Sequence, residues 1–273
     1  MNFWSSCRKI GALFQRDLAL ARSYRFAFVL QLFEILLGVA AFYYLSRFVQ
    51  SPQLTQSLPQ SGSYFAFALV GVAFFDYLSV SLNAFDESLE EARQNGTLES
   101  LVVTQTPLPV ILAGSALYPF AALSLRTAGY LVWGVFLFGF SAAQANWFGA
   151  LIVLGASILS FIGLGVLSAS YSLVFKRGNP VKWLFLGVSG LVSGVMYPVR
   201  VLPGALQWIA RLVPATYSLE GMRAALLGHA PIGELWPAIR ALLVFAIILL
   251  PASFAAFAWA LRRTKITGTL THF

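Results

Sequence analysis

Three ionisable side chains stand inside long apolar stretches, and they are the first residues whose chemistry needs explaining. Glu34, Asp76 and Arg126 are each flanked by runs of Phe, Leu, Val and Ala. Charge in such surroundings is costly and is normally paired, so Arg126 is expected to be neutralised by Glu34, Asp76 or both. The alternatives are a structural ion pair and a substrate- or proton-linked site. Other reactive groups are scarce. Ser189 sits in Gly187-Val188-Ser189-Gly190, but a serine nucleophile needs a base, and the chain's two histidines are His229 and His272. No Lys follows a Gly, as a phosphate-cradling P-loop requires, and no HExxH or metal-spaced Cys/His cluster occurs. No resident cofactor or catalytic residue is therefore expected in this chain.

The elements that position these charges must be membrane helices. Of 273 residues, 59% are hydrophobic and 10% charged, against about 25% charged in an ordinary soluble domain. Apolar stretches long enough to cross a hydrocarbon core of roughly 30 Å recur along the chain. A soluble enzyme, a disordered chain and a disulfide scaffold are excluded, the last because Cys7 has no partner. The fold class expected is an all-α membrane protein, a single domain over 1–273. Six transmembrane helices are predicted near 26–48, 64–85, 111–140, 147–175, 181–199 and 238–261. Residues 1–25 read as an amphipathic interface helix, with Ile10, Leu13, Phe14, Leu18 and Ala21 at helical spacing and basic residues on the other faces. The alternative there is a solvated basic leader.

Residues 203–236 are apolar but broken by Pro203, Pro214 and Pro231. They predict two short helices, Gly204–Val213 and Tyr217–Leu227, entering the membrane from outside without crossing it. The net charge of +8 is spread along the flanks of apolar segments instead of forming one stripe, so nucleic acid is not an expected partner. With the N-terminus inside, twelve Lys and Arg fall on the cytoplasmic side and five outside. Both termini are then cytoplasmic. Trp147 and Trp236 lie at outer boundaries and Trp259 near the inner one.

The loop 86–109 between the second and third predicted spans carries the densest signal. Ser88 with Glu91 suggests a capping box, Gly96 a helix end, Thr97 a second cap, and Pro107 the close of the loop. Leu98, Leu101 and Val102 share one face of the predicted second helix, with Glu99 beside them. An apolar face outside a membrane needs a protein groove. A charged, solvated loop would explain the acids but not that face.

This loop resembles the Glu-x-Gly-Thr-Leu-Glu-x-Leu-x-x-Thr-Pro region of the membrane subunits of type-2 ABC exporters, with Thr106-Pro107 slightly displaced from the usual pattern. The stretches Ser193-Gly194-Val195-Met196-Tyr197-Pro198 and Pro214-Ala215-Thr216-Tyr217-Ser218-Leu219-Glu220-Gly221-Met222-Arg223 are similar to that family's fifth-span exit and re-entrant hairpin. The resemblance implies a permease subunit without its own nucleotide site, in a multi-pass assembly of a bacterial or archaeal cytoplasmic membrane. Two cytoplasmic ATPase subunits would carry ATP and Mg, a second permease subunit would complete a homodimer, and membrane lipids would surround it. Such exporters move lipids, lipid-linked glycans, polysaccharides or drugs outward by alternating access.

The resemblance assigns ATPase coupling to Glu91, Gly96, Thr97, Leu98, Glu99, Leu101, Val102 and Pro107. It places a substrate path or outer gate near Phe42, Tyr43, Phe74, Met196 and Tyr197. Glu220 and Arg223, at i and i+3, are expected to form a local ion pair or to meet a polar head group. Two other families come near. An ABC importer permease would place its coupling loop through Glu90, Ala92, Gly96, Leu108 and Pro109, but Glu91 stands where that loop has Ala and the outer hairpin goes unexplained. A rhomboid-like intramembrane protease would use Ser189, but its neighbouring predicted span supplies no histidine.

Overall fold

The structure, a computed structural model, describes residues 8, 11–12, 14–16, 18–19, 25–48, 63–94, 108–138, 145–175 and 179–266. Among these residues the fold is all-helical. The helices are α1 (Arg25–Phe48), α2 (Tyr64–Gln94), α3 (Leu108–Phe138), α4 (Trp147–Phe175), α5 (Pro180–Val192), α6 (Gly204–Arg211), α7 (Pro214–Leu226) and α8 (Ile232–Ile266). A 3₁₀ turn, Val199–Val201, joins α5 to the hairpin formed by α6 and α7.

Helix α4 is the hub. It packs along α8 and against α2 and α7, while α1 lies at the edge on α3 and α2. Small residues allow the close approach: a side chain at Gly165 would collide with the Ser81 carbonyl of α2. Hydrogen bonds add to the packing. Ser160 donates to the Leu242 carbonyl across the α4–α8 seam at 2.6 Å, and Tyr77 donates to Ser124 across α2–α3 at 3.1 Å. The core between them holds Tyr77, Phe67, Phe85, Phe161, Phe257 and Met222, all fully buried.

Among the described residues, three helices are long and apolar enough to cross a membrane, over Tyr64–Glu90, Trp147–Phe175 and Ile232–Thr264. The structure departs from expectation in three places. Helix α2 continues through Ser88 and Glu91 to Gln94, so no new helix begins at Ser88. The run Leu89–Arg93 is made of strong helix formers, and continuing an existing helix is cheaper than nucleating another.

Helix α5 has 13 residues, about 20 Å at 1.5 Å per residue, too short to cross alone over the expected 181–199. It stops because Ser193 caps it and Gly194 takes a left-handed φ of 78°. The last helix begins at Ile232, taking in the tail of the expected 203–236 hairpin. The hairpin helices themselves lie within a few residues of the predicted limits, α7 starting with Pro214 in its first turn, where a missing N–H costs nothing. From the N-terminal segment, the described residues are helical, with Arg8, Gln15 and Arg16 exposed and Phe14 and Leu18 half-buried. Phe14 meets the Tyr118 ring of α3 at 6.3 Å.

Candidate functional site

The charges inside the helices come together as the sequence suggested. Arg126 of α3 donates to Glu34 of α1 at 2.8 Å and to the Tyr130 hydroxyl, one turn along its own helix, at 3.1 Å. Asp76 of α2 is half-buried and lies within electrostatic reach of both. Helical geometry explains the Tyr130 contact, since residues four apart share a face. The pair is not enclosed: the Glu34 side chain is 63% and that of Arg126 27% exposed on the surface of the subunit. Hydrocarbon against that surface would be costly, so it demands water, a ligand or another protein.

A second cluster fastens the hairpin. Arg223 of α7 is 5% exposed, and its guanidinium donates to the carbonyls of Gly194 at 2.7 Å, Val195 at 2.7 Å and Phe67 at 3.1–3.2 Å. It also stacks 3.5 Å from the centre of the Phe67 ring. One planar fork thus ties α7 to the start of α2 and to the turn after α5. Gly71 leaves the room this needs, because a side chain there would strike both the Val195 carbonyl and the guanidinium. Burial pulls Arg223 down to about 9, with Glu220 and Tyr64 opposing, which leaves it cationic at neutral pH.

The expected Glu220–Arg223 ion pair is not formed; the guanidinium is spent on backbone carbonyls, those of Gly194 and Val195 in the turn after α5 and that of Phe67 in the first turn of α2. Glu220 keeps an edge in solvent, yet the protein crowded around its carboxyl raises it above the usual range, with Arg223 and then Arg200 opposing. Beside this cluster, between the hairpin and the start of α8, a cavity of about 570 Å³ opens to the surface.

A third cluster lies at the opposite end of the bundle, and sequence reasoning missed it. Asn179 caps α5 by accepting from the Lys182 N–H at 2.9 Å. Its amide nitrogen lies 2.7 Å from the Asp86 carboxylate, 2.7 Å from the Ser168 hydroxyl and 3.0 Å from that of Ser172. Ser168 donates to the same Asp86 oxygen at 3.2 Å. The inner ends expected for α2, α4 and α5 are thereby pinned together immediately before the loop that follows α2. Asn179-Pro180 was readable as a helix start, but its pairing with a carboxylate 93 residues away was not.

The remaining expected site residues are scattered. Phe42 is half-buried against the core, and Phe74 lies in it, 4% exposed and stacked on Tyr77 at 5.9 Å. Tyr43 meets the Phe65 ring edge-on at 5.7 Å and its hydroxyl accepts from Arg47 at 2.7 Å. Met196 is exposed beside the hairpin, and Tyr197 donates to the Leu191 carbonyl. For Glu91 only the helical backbone is described. Gly96, Thr97, Leu98, Glu99, Leu101, Val102 and Pro107 lie outside the described residues. The Ser189 hydroxyl is buried without a hydrogen-bond partner among the described residues, so no base there activates it.

Comparison with known proteins places these features in a lineage. The family model described as ABC-2 type transporter matches residues 8–227. Nodulation protein J of Rhizobium meliloti (strain 1021) is 24% identical over 196 residues, covering 68% of this chain and 70% of that protein. The linearmycin resistance permease protein LnrN of Bacillus subtilis (strain 168) is 25% identical over 176 residues, 63% of this chain and 43% of that protein. The inner membrane transport permease YadH of Escherichia coli (strain K12) is 25% identical over 167 residues, 61% of this chain and 64% of its own length.

Proposed function

The chain belongs to the ABC-2 type transporter family, and from that premise we propose that it is the membrane subunit of an ATP-driven exporter that moves an amphipathic molecule outward. The observation that carries this reading is the unbroken family match over 8–227, which runs through the N-terminal basic segment, the loop after α2 and the α6–α7 hairpin. Six crossings, both termini in the cytoplasm and the hairpin at the outer face complete the arrangement. The assembly is a homodimer in a bacterial or archaeal inner membrane, with two separate ATPase subunits holding ATP and Mg.

Outward movement is favoured over import because the loop lies between the second and third predicted spans and the hairpin finds a use at the exit. One relative is named for linearmycin resistance, and moving a compound outward is a direct way for a permease to confer resistance. The exposed Glu34–Arg126 pair supports a second subunit or an aqueous path against α1 and α3, since lipid is a poor neighbour for it.

Energy enters through 88–107. The chain has no phosphate cradle, so nucleotide-driven motion must arrive by protein contact, and Leu98, Leu101 and Val102 offer the apolar area for it. The Asp86–Asn179 cluster makes α2 stiff against α4 and α5, so displacement of the loop is delivered to the bundle instead of being lost at a hinge. The test is Leu98→Asp/Leu101→Asp in the complex reconstituted with its ATPase. Membrane insertion should persist while ATPase association weakens and transport stops. Retention of both assembly and full transport would remove the coupling role.

A further inference from the structure

The cavity beside Arg223 is lined by charges of both signs that, among the described residues, form no ion pair with one another. Arg200 comes from the 3₁₀ turn, Arg211 from the end of α6, Glu220 from α7 and Glu234 from the first turn of α8, and all four line it. Each is exposed, and among the described residues none makes an ion pair or a side-chain hydrogen bond. Arg223 also reaches the wall, its guanidinium held by carbonyls, and both it and Arg200 attract Glu220 without closing an ion pair.

The frame holds them in place. Gln207 donates to the carbonyls of Arg200 at 3.2 Å and Leu202 at 2.8 Å, and Tyr217 donates to the carbonyl of Arg211 at 3.0 Å. The backbones that present both arginines are therefore fastened by side chains of the hairpin. The wall also contains the Ser193 hydroxyl, fully buried and without a hydrogen-bond partner among the described residues. Trp208 and Leu212, each next in sequence to a lining residue on the α6 side, and Trp236, between the lining residues Leu235 and Pro237 of α8, are all exposed.

From this arrangement we infer that the cavity binds the zwitterionic head group of an amphiphile, a phosphate facing Arg200 and Arg211 and an amine facing Glu220 and Glu234, with its apolar tail along Trp208, Leu212 and Trp236. A bare anion meets two carboxylates, and a bare cation meets three guanidinium groups, Arg223 included. A neutral head group leaves four charges unmatched. Only a ligand with separated charges of both signs satisfies them together, and charge-assisted hydrogen bonds to each are the strong kind. The volume of about 570 Å³ falls in the range of ordinary small-ligand pockets. A bilayer phospholipid and an exported amphiphile share this chemistry.

The inference rests on the reading of the chain as a transporter of amphipathic molecules, but its test is an equilibrium measurement made without the ATPase, so the two fail separately. The purified chain in a neutral detergent is titrated with short-chain phosphatidylethanolamine, short-chain phosphatidylglycerol and a neutral glycolipid, with binding read by native mass spectrometry. Phosphatidylethanolamine should bind about tenfold more tightly than either of the others, as one or two charge-assisted contacts would give. Arg200→Gln/Arg211→Gln and Glu220→Gln/Glu234→Gln should each abolish the preference. The exposed single changes Arg211→Gln and Glu234→Gln should each reduce it, and serve if a double variant melts early. Equal binding of phosphatidylglycerol or of the glycolipid, or a preference unmoved by these substitutions, would overturn the inference. Identification of the molecule that co-purifies from native membranes separates the sources: an abundant phospholipid bearing an amine, or a scarce amphiphile bearing phosphate and amine, supports the site, and a molecule lacking either charge counts against it.

Discussion

Arg126 and Arg223 show how differently two cations can be accommodated in one chain. Arg126 answers a carboxylate on a neighbouring helix, and its removal leaves Glu34 charged among apolar helices with Asp76 nearby. Arg126→Ala should therefore lower yield and thermal stability more than the triple change Glu34→Gln/Asp76→Asn/Arg126→Gln, which removes the charges together. A single variant with unchanged yield and transport would show that the pair carries neither stability nor function.

Arg223 answers carbonyls instead, and Arg223→Ala would take the side-chain donor from those of Gly194 and Val195, a loss of roughly 2–6 kcal/mol at about 1–3 kcal/mol per buried unsatisfied group. Lysine should rescue it poorly, having no planar fork to span three acceptors; thermal melts of both variants measure this. Glu220 titrates in the opposite sense from a salt-bridged acid. Its raised folded value means the folded state holds the proton longer than the unfolded chain does. Stability therefore falls as pH rises from the ordinary carboxylate range through that raised value. Glu220→Gln should flatten this decline in melting temperature, by a modest amount because one side of the carboxyl stays wet.

At the scale of elements, the contact of α2 with α4 is set by what is absent. Gly165 has no side chain to hold the helices apart, and Ser81 presents only a carbonyl to it. Gly165→Leu should cost about 3 kcal/mol through overpacking. It should also disturb the Asp86–Asn179 cluster one turn or more along the same seam, read as faster proteolysis of the loop after α2. Asn179→Ala tests that cluster alone. The amide's two donor hydrogens are lost from the Asp86, Ser168 and Ser172 oxygens around it and α5 loses its cap, so a loss on the order of 2 kcal/mol is expected in thermal melts. If transport falls further than stability does, the cluster transmits motion as well as holding helices.

For the whole molecule, the orientation of the bundle is the open expectation, and the structure selects the positions at which to test it. Asn179 and Ala230 are buried, 8% and 3% exposed, so cysteines there would report burial and not sidedness. Glu87 and Gly233 are exposed at opposite ends. In a Cys7→Ser background, Gly233→Cys should react with an impermeant reagent from outside and Glu87→Cys only after permeabilisation. Labelling of Glu87→Cys from outside would reverse the topology.

Composition and periodicity pointed to a helical membrane protein, because uninterrupted apolar runs of about 20 residues satisfy their backbone in hydrocarbon as helices, whereas a barrel is built from short strands of alternating polarity. Prolines at 203, 214 and 231 fixed the hairpin, since each removes a donor that a continuous helix would need. The depth of Glu34 and Arg126 along their helices even foretold their pairing. Local signals failed where a longer-range energy competed. The capping pattern at Ser88 lost to a helix already propagating through strong helix formers. The i,i+3 spacing of Glu220 and Arg223 lost to three backbone carbonyls that only the folded chain brings within reach. The Asp86–Asn179 cluster and the four unpaired charges of the hairpin cavity were invisible for the same reason: each joins segments remote in sequence, and only packing decides which side chains share a space.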